Sequence, residues 1–234
     1  MAERTPLVLL PGLLLDEALW QPQLKALADV ADMTVGDLTK DDSMAGMARS
    51  VLAAAPPRFA LAGLSMGGYA SFEIMRQAPE RVTRLALLDT SARPDTAAQT
   101  KERRAFIGMC ERGEFKGVTP RLLPRWIHPS RVNDKALTET VMSMTARVGR
   151  EAFIRQQTAI MNRPDSRPGL SRIDCPTLVL CGHEDQAAPV EVHREIAADI
   201  PNARLVVVPE CGHLSPLERP EAVNAALRTW LAAD

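Results

Sequence analysis

The chain has one tyrosine, four cysteines, four histidines and almost no charge imbalance. Each scarcity excludes something. No apolar run approaches the roughly 20 residues that a membrane-spanning helix needs. The longest, Leu7 to Leu15, is interrupted by Pro11-Gly12. No small-residue cleavage site follows it, so it reads as a buried strand and its loop, not a signal peptide. Lys and Arg total 28 against 29 Asp and Glu, a formal charge of -1. That balance gives no electrostatic attraction for nucleic acid or an anionic membrane. Cys110, Cys175, Cys181 and Cys211 form no CxxC or CxxH pair, so no zinc spacing is present. A domain of this size also needs no disulfide framework. The thiols read as small buried groups in a reducing cytoplasm. Neither GKS/GKT nor GxGxxG occurs, which removes two phosphate-binding loops. No metal or cofactor is expected.

What is present is patterned. At 234 residues the chain suits one large α/β domain. Short, uniformly apolar runs recur at Pro6–Leu10, Phe59–Ala62, Leu85–Leu88, Thr177–Cys181 and Arg204–Val208, with a weaker one at Met33–Val35. Apolar throughout and not alternating, they fit strands covered on both faces, as in a parallel sheet. Helical spacing lies between them, over Leu19–Val30 with Asp16 as N-cap, Ser43–Ala54, Gly67–Gln77, Val190–Asp199 and Pro220–Ala232. Alternating strand and helix imply a doubly wound sheet with right-handed crossovers. Residues 93–172 break the alternation. They offer helical patterns at Thr96–Arg112, Asp134–Val148 and Arg150–Asn162, punctuated by prolines, and no good strand. That is too long for a plain connection. It reads as a helical lid inserted into a core of residues 1–92 and 173–234. Its apolar residues include Phe106, Trp126 and Met142, candidates to line a pocket, although most such residues should simply pack the lid onto the core.

The chemistry concentrates at Gly63-Leu64-Ser65-Met66-Gly67-Gly68. A predicted strand precedes it and a predicted helix follows, the context of a nucleophile elbow. With 13 glycines and ten serines in the chain, a chance Gly-x-Ser-x-Gly is expected about 3% of the time. A serine hydroxyl needs a base to take its proton. His213, in Cys211-Gly212-His213-Leu214 after the last strand, lies where ligands bind at the carboxyl edge of such sheets. His128 sits in the lid, His193 mid-helix on a presumed surface, and His183 too near the expected acid. That acid is Asp185, after the penultimate strand, with Asp89 as rival at the end of another strand; a strand-end Asp is often a turn residue. Glu184, next to Asp185, should point elsewhere. An oxyanion hole needs two backbone N–H groups. Met66 follows the nucleophile, and Leu13 follows Gly12 in the loop after the first strand; Pro11 has no N–H to give.

Together Leu9-Leu10-Pro11-Gly12, the Ser65 hexapeptide, Gly182-x-x-Asp185 and Gly212-His213 resemble the α/β-hydrolase superfamily, in particular its small bacterial carboxylesterase-like members. The resemblance covers nearly the whole chain apart from the lid. It implies an α/β-hydrolase fold: a mostly parallel sheet of about six strands, flanking helices and a short helical lid. It implies a triad of Ser65, Asp185 and His213, an oxyanion hole at Leu13 and Met66, and hydrolysis of a small, largely apolar ester without a cofactor. The expected partner is that small molecule, and the expected state a cytoplasmic monomer or homodimer. Two departures stand out. Pro11 occupies the place where many relatives have histidine, and the two antiparallel strands that usually open the fold have no counterpart. The same triad also serves lactonases, thioesterases and carbon–carbon bond hydrolases. The last would need Arg93, Arg125, Arg147 or Arg155 to face the pocket. A non-catalytic ligand-binding protein on the same fold is the alternative from another class.

Overall fold

Residues whose side chains are apolar in both directions can only be strands if both sheet faces are covered, and they are. The computed structural model describes residues 4–233. Its strands are β1 (Thr5–Leu10), β2 (Ala31–Val35), β3 (Phe59–Leu64), β4 (Val82–Leu88), β5 (Thr177–Gly182) and β6 (Ala203–Val208). They form one sheet in the order β2-β1-β3-β4-β5-β6, with every pairing parallel. Successive residues feed opposite faces. Leu7, Leu9, Ala60, Ala62, Leu178 and Leu180 enter one buried cluster. Val8, Leu10, Phe59, Leu61 and Val179 enter the other. β3 and β5, inside the sheet, are buried at every position, whereas the edge strands β2 and β6 are partly open.

The strand order places the site. From β1 the chain moves outward to β2, then returns past β1 to β3 and continues the other way. The carboxyl ends of β1 and β3 therefore flank the topological switch point, where loops diverge and leave a crevice. The Gly12 loop follows β1 and Ser65 follows β3.

The helices are α1 (Gln21–Ala26), α2 (Met44–Ala54), α3 (Met66–Gln77), α4 (Ala97–Glu111), α5 (Lys135–Met161), α6 (Val190–Asp199), α7 (Ser215–Glu218) and α8 (Pro220–Leu231). Side-chain caps start several of them. Ser43 accepts from Gly46 N–H, Asp134 from Leu137 N–H, and Thr96 with Gln99 forms a capping box. The helix expected over Leu19–Val30 is shorter. Asp16 caps a 3₁₀ turn at Glu17–Trp20, α1 follows, and the chain turns after Ala26 because Val30 carbonyl must meet Thr5 N–H at the start of the sheet.

Residues 93–172 contain no strand. Val118, Leu123, Ile127, Leu137, Val141, Met144 and Phe153 pack into the first core cluster, while Ala159, Ile160 and Leu170 join the second. Two successive helices were expected here, meeting at residue 149. α5 runs through both but breaks its helical geometry at Gly149, with φ 77° and ψ 178°. Among the described residues, no helix is long and apolar enough to cross a membrane.

That backbone conformation is open almost solely to glycine. Gly149→Ala meets no steric obstacle around its Cβ, so its cost isolates the backbone. Urea unfolding should show a loss of about 1–3 kcal/mol; an unchanged midpoint would refute the strained break.

Candidate active site

The turn between β3 and α3 leaves no room for side chains at its glycines. Ser65 sits at φ 54° and ψ -112°, a region that non-glycine residues avoid. Two glycines make the turn possible by letting backbones meet. A Cβ on Gly63 would strike the Gly67 carbonyl, and one on Gly67 would strike the carbonyl of Leu10 on β1. The turn is fastened from both sides: Ser65 N–H donates to Leu88 O at 2.9 Å, and Thr90 Oγ1 donates to Ser65 O at 2.8 Å.

Strain at Ser65 carries its hydroxyl toward the loop after β6. Ser65 Oγ lies 2.9 Å from His213 Nε2, and His213 Nδ1 lies 2.8 Å from Asp185 Oδ2. The other carboxylate oxygen of Asp185 accepts Ala187 N–H at 2.8 Å and Ala188 N–H at 3.0 Å. Asp185 is therefore locked with one oxygen aimed at the imidazole, although it lies 120 positions from Ser65 in the chain. Burial alone would push the Asp185 carboxyl up, but the His213 ring and the two N–H groups hold it below its ordinary value. Burial would likewise lower His213; the facing Asp185 carboxylate outweighs it and raises the imidazole to about 9. With Nδ1–H donating to Asp185, neutral His213 presents Nε2 as an acceptor to the serine hydroxyl.

Asp89, the rival acid, is placed close by and used differently. It is fully buried, with φ 45°. Its oxygens accept Gly182 N–H at 2.9 Å and the Ser215 hydroxyl. Burial, then the Asp185 charge, pushes its carboxyl well above the usual range. Asp89 thus ties β4 to the ends of β5 and α7, and Asp185 alone makes the bond to His213.

His193 is a correction. It is not a surface residue but fully buried, on the same stripe of α6 as Val190 and Ile196. Its Nε2 accepts Thr90 N–H at 2.8 Å and its Nδ1 donates to Pro189 O at 3.1 Å. Burial lowers it to about 4, so it stays neutral and fixes the Thr90 that grips Ser65. His128 and His183 lie off the Ser65–His213 line. His128 Nδ1 meets Ser130 Oγ at 2.7 Å, and exposed His183 meets Glu184 at 2.9 Å. Glu184 points away from the imidazole, as expected, and accepts Cys211 N–H.

Glu218 belongs to no motif in the sequence and is central to the His213 loop. Its buried carboxylate accepts His128 N–H at 2.6 Å, Gly212 N–H at 3.1 Å and Leu214 N–H at 3.0 Å. The backbone on both sides of His213 is thereby clamped to one side chain, and His213 N–H itself donates to Trp126 O at 3.0 Å. The Trp126 ring stands edge-on to the imidazole with centroids 6.5 Å apart. Of the other proposed pocket residues, half-buried Phe106 packs against the first core cluster, and half-buried Met142 lies on α5 outside it.

The loop after β1 lies against the nucleophile: a Cβ on Gly12 would be 3.4 Å from Ser65 Cβ. Among the described residues, Leu13 N–H and Met66 N–H have no protein acceptor, so both are free to receive an oxyanion. The next residue, Leu14, has φ 59° and donates its N–H to Gln156 Oε1 at 3.0 Å. Gln156, like Glu218, belongs to no motif. Its one signal in the sequence is a polar residue on the apolar stripe formed by Phe153 and Ile160. Among the described residues, no group of three or more His, Cys, Asp or Glu is arranged to hold a metal ion.

The chain is similar to known proteins over nearly its whole length. A family model described as the alpha/beta hydrolase family matches residues 7–226. A thermophilic esterase from Thermogutta terrifontis superposes with a TM-score of 0.88 at 31% identity, covering 97% of this chain and 89% of that one. An enol-lactonase from Burkholderia xenovorans shares the fold, with a TM-score of 0.89 at 24% identity over 99% and 93% of the two chains. A Serratia proteamaculans protein, provisionally named a carbamate hydrolase, is 29% identical over 245 residues, 96% of this chain and 90% of that one.

Removing the Glu218 carboxylate leaves two buried N–H groups and one part-buried one without partners. Glu218→Ala should cost about 2–5 kcal/mol in urea unfolding. A loss below about 0.5 kcal/mol, the scale of ordinary surface changes, would show that the clamp is not structural.

Proposed function

The chain belongs to the alpha/beta hydrolase family, and on that premise we propose that it cleaves small, largely apolar carboxylic esters through an acyl-enzyme on Ser65. The observation that carries the reading is the continuous chain Ser65–His213–Asp185, at 2.9 and 2.8 Å, starting from a strained serine. As the ester carbonyl meets Ser65 Oγ, His213 Nε2 takes the hydroxyl proton and an Oγ–C bond forms. The carbonyl oxygen becomes an oxyanion facing the N–H groups of Leu13 and Met66. Asp185 stabilises the imidazolium without taking its proton. The tetrahedral adduct collapses, and His213 returns the proton to the departing alkoxide, which leaves as the alcohol. Water then repeats the sequence on the acyl-enzyme and releases the carboxylic acid. Trp126, edge-on to the His213 ring, is the apolar surface proposed for the acyl and alkyl groups, with Phe106 and Met142 proposed to extend it.

A carbon–carbon bond hydrolase needs a free cation for its substrate's carboxylate. The four candidate arginines are engaged elsewhere: Arg93 with Glu195, Arg125 with Glu102 and Arg147 with Asp16, while Arg155 donates to Thr39 O. Lactones and carbamates present the same carbonyl to the same groups, and the relatives' names keep them as second substrates to assay beside esters.

Two measurements test the reading. Against p-nitrophenyl acetate and butyrate, Ser65→Ala should lower kcat by about 10⁴ or more; undiminished turnover would exclude Ser65 as nucleophile. The second is a pH profile. The base must be neutral, so kcat/KM should rise with pH through the His213 pKa, held up to about 9, and the acid limb should lie above that of free imidazole. Asp185→Asn removes the charge that raises His213 and leaves the burial that lowers it. Its limb should move to lower pH while the plateau falls on the order of 10⁴-fold. A limb that stays in place would contradict the pairing.

A further inference from the structure

The oxyanion loop has an unusual support. Pro11 and Gly12 give it no side-chain anchor of its own, and Leu14 takes a left-handed conformation, φ 59°, that a leucine does not adopt unaided. What holds it comes from 142 residues away. Gln156, on α5, is 1% exposed. Its Oε1 accepts Leu14 N–H at 3.0 Å, and its Nε2 donates to Leu38 O, in the loop after β2, at 3.2 Å. Both ends of the carboxamide are therefore committed, and the amide cannot flip without losing both bonds. It bridges the loops that follow the adjacent strands β1 and β2. The peptide N–H on one side of Leu14 is pinned to Gln156, and the neighbouring N–H, that of Leu13, is the one left free.

We propose that Gln156 is a positioning residue for the oxyanion hole: by fixing Leu14 it aims Leu13 N–H at the oxygen that becomes charged on attack by Ser65. The inference rests on the hydrolase reading above. It also assigns the segment between β4 and β5 a second task beyond covering the site, since α5 carries the residue that shapes the catalytic loop. The interaction is worth little to a bound ester, whose carbonyl oxygen is nearly neutral, and much to the tetrahedral state, where charge sits on that oxygen. A displacement of the donor by about 1 Å is enough to cost up to about 10²-fold.

The experiment compares wild type with Gln156→Met, which keeps the bulk and removes both hydrogen bonds, and Gln156→Asn, which keeps the amide but withdraws it by about 1.5 Å. Steady-state kinetics on p-nitrophenyl butyrate are read beside inhibition by an alkyl trifluoromethyl ketone. Ser65 Oγ adds to that ketone, its proton passes to His213, and the ketone oxygen becomes the oxyanion of a stable hemiketal. A ground-state control is competitive inhibition by butanol. The expected result is kcat lowered about 10- to 100-fold, KM and butanol inhibition changed less than about threefold, and ketone affinity lowered in step with kcat. Either variant suffices where the other does not fold. The inference is overturned if a folded variant keeps wild-type kcat and ketone affinity, if KM rises and butanol inhibition weakens by as large a factor as kcat falls, or if neither variant folds, which assigns Gln156 to stability alone. A wild type that turns over esters while these variants match it sinks this inference only. A wild type that neither hydrolyses esters nor binds the ketone sinks the hydrolase reading beneath it.

Discussion

The contact between Gly67 and the Leu10 carbonyl, with Gly63 against Gly67, is the constraint on which the site depends. Without side chains at these points α3 can start immediately over the end of β1, and the chain can reverse within one residue. That residue is Ser65, forced into a conformation that serine does not choose. Strain of this kind persists only where surrounding bonds over-determine it. Here they come from β4, through Leu88 O, and from Thr90, itself fixed by His193 on α6. The serine is thus held by elements far apart in the chain before any substrate arrives, so little reorganisation is left for the reaction.

The opposite wall is held by buried polar side chains. Glu218 gathers three N–H groups around the His213 loop, Asp89 joins Gly182 to Ser215, and Gln156 joins the loops after β1 and β2. Each would be costly to bury unpaired, and each is nearly saturated with partners. Two of them also connect to the helical segment between β4 and β5: Glu218 through His128, and Gln156 by originating there. Movement of that segment would therefore be felt by the base and by the oxyanion loop together.

Much of this was legible in the sequence, and the reason is periodicity. Six strands covered on both faces leave uniformly apolar runs, and each is found at its expected place, with ends displaced by a few residues where polar positions such as Thr83 and Arg84 continue β4 beyond its apolar stretch. Glycine carries enough conformational meaning that the turn at Ser65 could be read directly, and the two helical patterns expected on either side of residue 149 meet at the break in α5. Ser65, Asp185 and His213 were nominated by residue type and order, and the structure brings them within hydrogen-bonding distance. What could not be read were side chains whose role depends on a distant partner. His193 looks like any helix histidine until Thr90 is seen opposite it. Glu218 looks like an acid in a first helical turn, and Gln156, although on an apolar stripe, shows no partner. Their partners are backbone N–H and C=O groups, which leave no mark in a sequence.

The central claim is that Ser65 forms a covalent acyl intermediate. Intact-protein mass spectrometry after rapid acid quench of a reaction with p-nitrophenyl butyrate tests it directly. The account predicts one butyryl group per chain, mapped by peptide digestion to the segment containing Ser65, and none in Ser65→Ala. Turnover with no adduct at any quench time, or an adduct on another residue that persists in Ser65→Ala, would contradict it.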